Sequence, residues 1–307
     1  MRLWIILFIP FIIALAYAVH SAFKYTRMIS NIFLSLVYRP APEFYTAHGE
    51  RMVILDSKDR EIETLLVEKK GSHKLLIFCH ESGASKESWE KYAYFIPALG
   101  YHLLSVDFNN NSESGKNSLS QWPTSPDVER LLTVVRWAKT ALGADLEIVL
   151  FGVSNGADIA LAASFDYPGV AGVIADGLFS MKEIFRDYIR KWGPVLVKRS
   201  LFGEHYPAWV VNAFATMGFW HCQRRSGKRF IDIEKFLHRK RVPLLMIHGA
   251  EDDYVPEPHQ ALLEKMSDKG AVVHHVVVPM AKHNEAVLAD RTRYERAVAE
   301  FLKGILP

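Results

Sequence analysis

Five residues, Gly152-Val153-Ser154-Asn155-Gly156, set a serine hydroxyl between two glycines. Residues 148–151 before them form a short apolar, partly β-branched run, the pattern of a buried strand. After them come Ala and Leu at helix-favouring positions. A strand, a tight turn and a helix in that order would hold Ser154 at the tip of the turn, its hydroxyl projecting from a sheet edge. Neighbouring chain passes close on both sides of such a turn, so Gly152 and Gly156 stand where a Cβ would clash. The following helix aims its first N–H groups at the hydroxyl, and the N–H of Asn155 would donate to a developing oxyanion. The chemistry is that of a nucleophilic serine, which needs a base within hydrogen-bond reach and a carboxylate to orient that base.

One histidine stands where such a base should be. His283, in Pro279-Met280-Ala281-Lys282-His283-Asn284-Glu285, follows the last strand-like run and precedes the last helical one, with Asn284 placed to cap that helix. His274 and His275 lie inside the strand-like run and are less able to reach its end. His248 is read as shaping the loop it opens. That loop, His248-Gly249-Ala250-Glu251-Asp252-Asp253-Tyr254-Val255-Pro256, is similar to the H-G-x-x-D-x-x-V-P segment of the α/β-hydrolase superfamily. The resemblance implies that Asp252 is the acid. Asp253, one residue on, and Asp176, at the end of another strand-like run, are the alternatives. The order Ser154, Asp252, His283 is that of the superfamily.

The resemblance extends from about residue 52 to the C-terminus. His80-Glu81-Ser82-Gly83-Ala84-Ser85 is similar to the superfamily's H-G-x segment, which implies that Ser82 supplies a second oxyanion N–H. Glu81 departs from the usual glycine and sets a carboxylate beside the expected oxyanion hole. Asp107-Phe108-Asn109-Asn110-Asn111-Ser112-Glu113-Ser114 matches a D-x-R-G-x-G-x-S pattern only at Asp107 and Ser114. What the resemblance implies is a serine hydrolase acting on an ester or thioester through an acyl-enzyme, with no cofactor and no metal. Two other readings stay open: a peptidase or amidase on the same fold, and a non-catalytic, membrane-tethered binding module whose best support is Glu81.

The elements that must position these residues follow from hydrophobic patterning. Eight strands are expected, at residues 52–55, 62–67, 75–79, 103–106, 148–151, 170–175, 242–247 and 272–278. Helices are expected at 89–99, 125–142 and 284–302, besides the one after Ser154. Ser125 would cap the second of these, with Pro126 as its first residue. Alternating strands and helices predict a mostly parallel eight-stranded sheet covered by helices on both faces, preceded by an antiparallel hairpin. The superfamily's α/β fold carries its site beyond the carboxyl ends of the strands. Residues 178–241 interrupt the alternation. They are rich in aromatics and basic at Arg224, Arg225, Lys228 and Arg229, and are read as a helical cap inserted over the site; an enlarged helical layer on the sheet is the alternative.

With 307 residues, half of them hydrophobic, the chain can bury a sizeable core. A net charge of +3 gives no support for nucleic-acid binding. Its two cysteines, Cys79 and Cys222, do not make a disulfide framework. No C-x-x-C, H-E-x-x-H or Walker-type segment occurs, so zinc and nucleotide chemistry lack support. Residues 3–19 are nearly all apolar, a length bordering on that of a bilayer-spanning helix. An uncleaved membrane anchor over residues 1–40, followed by the hydrolase domain at 41–307, is the favoured organisation. A signal peptide cut after Ala16-Tyr17-Ala18, leaving a secreted or periplasmic enzyme, is the alternative. The anchor and the aromatic insertion together point to a small-molecule or lipid-like acyl substrate with an apolar chain.

Overall fold

The computed structural model describes residues 2–35, 46, 48–108, 122–196, 206–239, 241–267 and 272–306. The 39–42 linker and most of the 107–114 loop read from the sequence lie outside them. The chain divides into two compact units, Val37–Met181 with Arg229–Pro307, and Met1–Leu36 with Lys182–Lys228.

The first unit is built on eight strands: β1 (Glu50–Leu55), β2 (Glu61–Val67), β3 (Lys74–Cys79), β4 (His102–Val106), β5 (Glu147–Val153), β6 (Val170–Asp176), β7 (Leu244–Gly249) and β8 (Val273–Val278). They lie in the order 1-2-4-3-5-6-7-8. β1 and β2 form an antiparallel hairpin and β2 also runs antiparallel to β4; every later pairing is parallel. The parallel strands are buried on both faces, which is why their sequences read as continuous apolar runs. β7 starts after Pro243, which has no N–H to give a ladder; its carbonyl still accepts from Val173.

On one face Leu76, Phe78, Val149, Phe151 and Ile174 pack with Trp89, Tyr92, Tyr294, Val298 and Phe301. Tyr294, Val298 and Phe301 lie on α10 (Arg291–Ile305), and Trp89 and Tyr92 on the single turn α2 (Trp89–Tyr92). The opposite face receives α3 (Ser125–Ala141) and α4 (Asn155–Asp166), whose buried residues include Leu131, Val135, Ala157 and Leu161. α7 (Ile233–Leu237), α8 (Glu257–Ser267) and α9 (Ala286–Ala289) complete this unit.

Three helix boundaries differ from the sequence expectation. The 89–99 helix is only α2 between two 3-10 turns, because Pro97 and Gly100, the latter at φ 91°, break the pattern. Thr124, not Ser125, caps α3: its N–H and hydroxyl both donate to the Asp127 carboxylate, at 2.9 and 2.6 Å, and its side chain accepts from the Asp127 N–H, which completes a capping box. Asn284 is not a cap but a left-handed residue, φ 61°, and the C-terminal helix is split into α9 and α10.

The second unit holds α1 (Arg2–Ser35), α5 (Met181–Leu196) and α6 (Ala208–Ser226). α1 has two halves. Residues 8–20 are exposed on every side, whereas Thr26, Ile29, Ser30 and Phe33 are buried at the i, i+3, i+4, i+7 spacing of one helix face. That face meets α6 through small groups: the Ser30 hydroxyl donates to the Gly218 carbonyl at 3.3 Å, and Cys222 packs against Ser30. Phe33 meets Phe185 of α5 edge-on at 4.5 Å. Both cysteines are buried free thiols.

Candidate active site

The parallel strands β3, β5, β7 and β8 end on one edge of the sheet, and every candidate residue follows one of those ends. Ser154 comes directly after β5, with φ 51° and ψ −116°, a conformation rare for a residue with a side chain. Such a residue costs on the order of 1–3 kcal/mol and persists only where its surroundings force it. Here the Ser154 N–H donates to the Asp176 carbonyl at 2.7 Å and its carbonyl accepts from Ala157 at 2.9 Å. A Cβ on Gly152 would lie 2.1 Å from the Gly156 carbonyl oxygen, and one on Gly156 only 2.0 Å from that of Cys79. The second approach seats the first turn of α4 against the end of β3, where the loop carrying Ser82 begins.

Asp252 and His283 are set against each other by backbone. The acid loop after β7 is stitched to the loop after β8 by Ala250 N–H to Val278 and Glu251 N–H to Ala281, both at 2.9 Å. Gly249 permits this; a Cβ there would lie 2.2 Å from the Ala281 carbonyl oxygen. The Asp252 carboxylate accepts from the N–H groups of Tyr254 and Val255, each at 2.8 Å, and from His283 Nδ1 at 2.7 Å. Burial alone would push its pKa up. The hydrogen bond and charge of His283, with the two N–H groups, outweigh that and hold the carboxyl below its ordinary value. An ionised carboxylate only accepts, so Nδ1 carries the proton and Nε2 is left to accept. His283 Nε2 lies 3.0 Å from Ser154 Oγ.

The alternatives fall elsewhere. Asp253 is exposed. Asp176 is buried and accepts from the Tyr294 hydroxyl at 2.8 Å; burial pushes its pKa up to about 7. His248 donates from Nε2 to the Leu178 carbonyl at 3.0 Å, and burial pushes its pKa down to about 4, so it stays neutral and ties the acid loop to the chain after β6. His275 contacts His248 at 3.3 Å, and His274 meets Phe301 edge-on.

Asn155 opens α4 immediately after the serine. Ser82 lies in a turn closed by the Ala84 N–H on the Glu81 carbonyl at 3.3 Å, with Gly83 at φ 79°. The Glu81 side chain is buried and accepts from Tyr92 at 3.0 Å and Ser88 at 3.2 Å. The Tyr92 hydroxyl also lies 3.3 Å from the carbonyl of Asn284, the residue after His283. Glu81 and Tyr92 thus bridge the loop after β3 to the loop that carries the histidine. No local signal marks Tyr92 for this role, because it reads as an ordinary core aromatic. Among the described residues no group of three or more His, Cys, Asp or Glu is arranged to hold a metal ion.

This strand order is that of the α/β-hydrolase fold. Residues 76–300 match the alpha/beta hydrolase family, and the chain belongs to that family. No curated protein sequence matches it. Among solved structures it is similar to an esterase of Pyrococcus furiosus, with TM-score 0.64 and 20% identity over 89% of this chain and 99% of that one. It is also similar to a butyrate-bound thermophilic esterase of Thermogutta terrifontis, with TM-score 0.60 and 15% identity over 84% and 94% of the two chains. A third similar structure is a membrane phospholipase A described as a bacterial virulence factor, with TM-score 0.56 and 18% identity over 99% and 98%. At these identities the likeness is one of fold.

Proposed function

We propose that the protein is a membrane-anchored serine hydrolase that cleaves a carboxylic ester or thioester with an apolar acyl group. The observation that carries the reading is the relay of 3.0 Å from Ser154 Oγ to His283 Nε2 and 2.7 Å from His283 Nδ1 to Asp252. Ser154 attacks the acyl carbonyl as its proton passes to Nε2. The new carbon–oxygen bond gives a tetrahedral intermediate whose oxyanion is held by the N–H groups of Asn155 and Ser82. Collapse breaks the bond to the leaving group, which takes the proton from Nε2. Water then attacks the acyl-enzyme by the same route and restores the serine. Asp252 keeps the imidazole in the tautomer this needs.

The anchor reading rests on α1. Among the described residues Phe8–Ser35 is the one helix long and apolar enough to cross a membrane. It runs unbroken through Ala16-Tyr17-Ala18, where a signal-peptide cut would favour an extended chain. The phospholipase likeness, which spans the whole chain, supports lipid-like acyl esters as the first substrates to try. The Glu81 carboxylate is taken up by Ser88 and Tyr92, which weakens the case for a non-catalytic module.

The test is labelling of the full-length protein by a fluorophosphonate probe, with Ser154→Ala and His283→Ala as controls. Labelling that needs both residues supports the activated serine and leads to esters of graded chain length. Folded wild-type protein that stays unlabelled and hydrolyses none of those esters overturns the reading. Intact mass of membrane-extracted protein separates anchor from signal peptide: loss of residues 1–18 would remove the anchor.

A further inference from the structure

α6 shows one face to its own unit and a different kind of face outward. Val210, Val211, Ala215, Gly218 and Cys222 are buried. The other side carries Trp209, Ala213, Met217 and Trp220, spaced as one stripe of a helix, and ends at Arg224. Trp209 is 67% exposed and Trp220 55% exposed. A helix face turned to water is normally polar. Here one stripe is apolar and aromatic for three turns, with the exposed Asn212 and Thr216 beside it, and α6 contains no acidic residue.

Three observations choose the occupant of that face. α1, in the same unit, exposes Phe8, Phe11, Ile12, Ile13, Leu15 and Tyr17 on all sides. All-round apolarity suits lipid, whereas a protein partner would take one face. Next is level. α6 crosses α1 at Ser30, seven residues past Phe23, the last strongly exposed large apolar side chain of that helix. At 1.5 Å per residue this is about 10 Å along the axis. If Phe23 marks the edge of the hydrocarbon, the α6 axis crosses just beyond the headgroup layer, which is about 5–8 Å deep on each side, and its radius of about 5 Å brings its near side into that layer. Last is charge. Lys24 and Arg27 of α1 and Arg224 and Arg225 of α6 have no acidic residue on either helix to offset them, and the Arg224 guanidinium lies over the Trp220 ring. Indole rings with adjacent basic groups are the composition of a helix lying in an anionic bilayer surface.

We propose that the Trp209–Met217–Trp220 face of α6 is a second membrane contact, which lies in the headgroup layer of an anionic bilayer beside the α1 anchor. This rests on the anchor reading of α1. The contact would fix the orientation of the helical unit on the membrane, whereas a single spanning helix leaves it free to swing.

The test uses full-length protein in vesicles of equal parts phosphatidylcholine and phosphatidylglycerol. An environment-sensitive fluorophore is attached at Met217→Cys or at Tyr17→Cys, since the buried Cys79 and Cys222 leave an unmodified blank. Retained fluorophosphonate labelling shows that each variant is folded. With chains brominated near the headgroup, the Met217→Cys label should shift to the blue and lose roughly half its emission, as expected for a group at the interface. Quenching at Tyr17→Cys without quenching at Met217→Cys, where iodide reaches the label instead, overturns the second contact and leaves the anchor intact. A Met217→Cys label shielded from both iodide and bromolipid means that protein covers the face, and also overturns it. If neither site is quenched by bromolipid, the anchor reading fails and this one with it.

Discussion

Gly156 and Gly218 both sit on helices at close contacts, one in each unit, and what each touches differs. A Cβ on Gly156 would meet the Cys79 carbonyl oxygen at 2.0 Å, and backbone inside a parallel sheet has nowhere to go. A Cβ on Gly218 would meet ring atoms of Phe185 at 2.5 Å, a side chain rather than backbone. The sheet unit holds its site through main-chain contacts that tolerate no addition. The helical unit holds itself through side chains on α1, α5 and α6, which can give where main chain cannot.

The largest expected effect is catalytic and falls wholly in the sheet unit. Ser154→Ala should lower ester turnover by about 10⁴-fold or more, and Asp252→Asn by a comparable factor, since the amide would hold the wrong tautomer of His283. Asp253→Asn should leave turnover within about twofold, being an exposed site away from the relay. Steady-state kinetics on a p-nitrophenyl ester decides. Comparable losses at Asp252 and Asp253 would break the assignment of the acid. Next in size is the glycine pair. Gly156→Ala should destabilise by about 3 kcal/mol and abolish activity by shifting the turn, whereas Gly218→Ala should lose about 1 kcal/mol and keep activity. Urea melts with parallel rate measurements read both; equal losses would erase the contrast between the units.

The same contrast governs what could be read from sequence. All eight strands and the mostly parallel sheet after an antiparallel hairpin are legible, because an apolar run bounded by turn residues is a local signal; the crossed order of β3 and β4 is not. The pairing of α1 with the insertion was not. It depends on Ser30 meeting Gly218 across 188 positions, and small residues on a helix carry no mark of which neighbour they fit. Glu81 was legible as a departure and illegible as to its partner: only the fold brings Tyr92 beneath the loop, and only the fold points Tyr92 towards Asn284. Asn284 was misread as a cap because a polar residue before a helix looks the same whether it caps or turns left-handed.

Two further effects sharpen the picture of the sheet unit's interior. Glu81→Ala should destabilise by about 1–3 kcal/mol, leaving the buried Tyr92 hydroxyl to lean on the Asn284 carbonyl alone. Glu81→Gln keeps an acceptor and should recover most of that loss; no recovery in a thermal melt would mean that the charge matters, not the bridge. The other effect is a slope with pH. Asp176 titrates at about 7 in the fold against an ordinary 3.8, so between those values the folded protein holds a proton the unfolded chain has released. Stability from this group is therefore greatest below about pH 4, falls as pH rises and is fully diminished above about pH 7. Asp252, whose pKa is lowered, acts with the opposite sign, and only as pH falls below 3.8, outside that window. Asp176→Asn keeps an acceptor for Tyr294 and should remove the slope, so the Tm difference between variant and wild type should widen in the variant's favour from pH 4 to 7. A difference that stays flat across that range would mean that Asp176 is ionised throughout, and that the sheet unit carries a buried charge beside the relay.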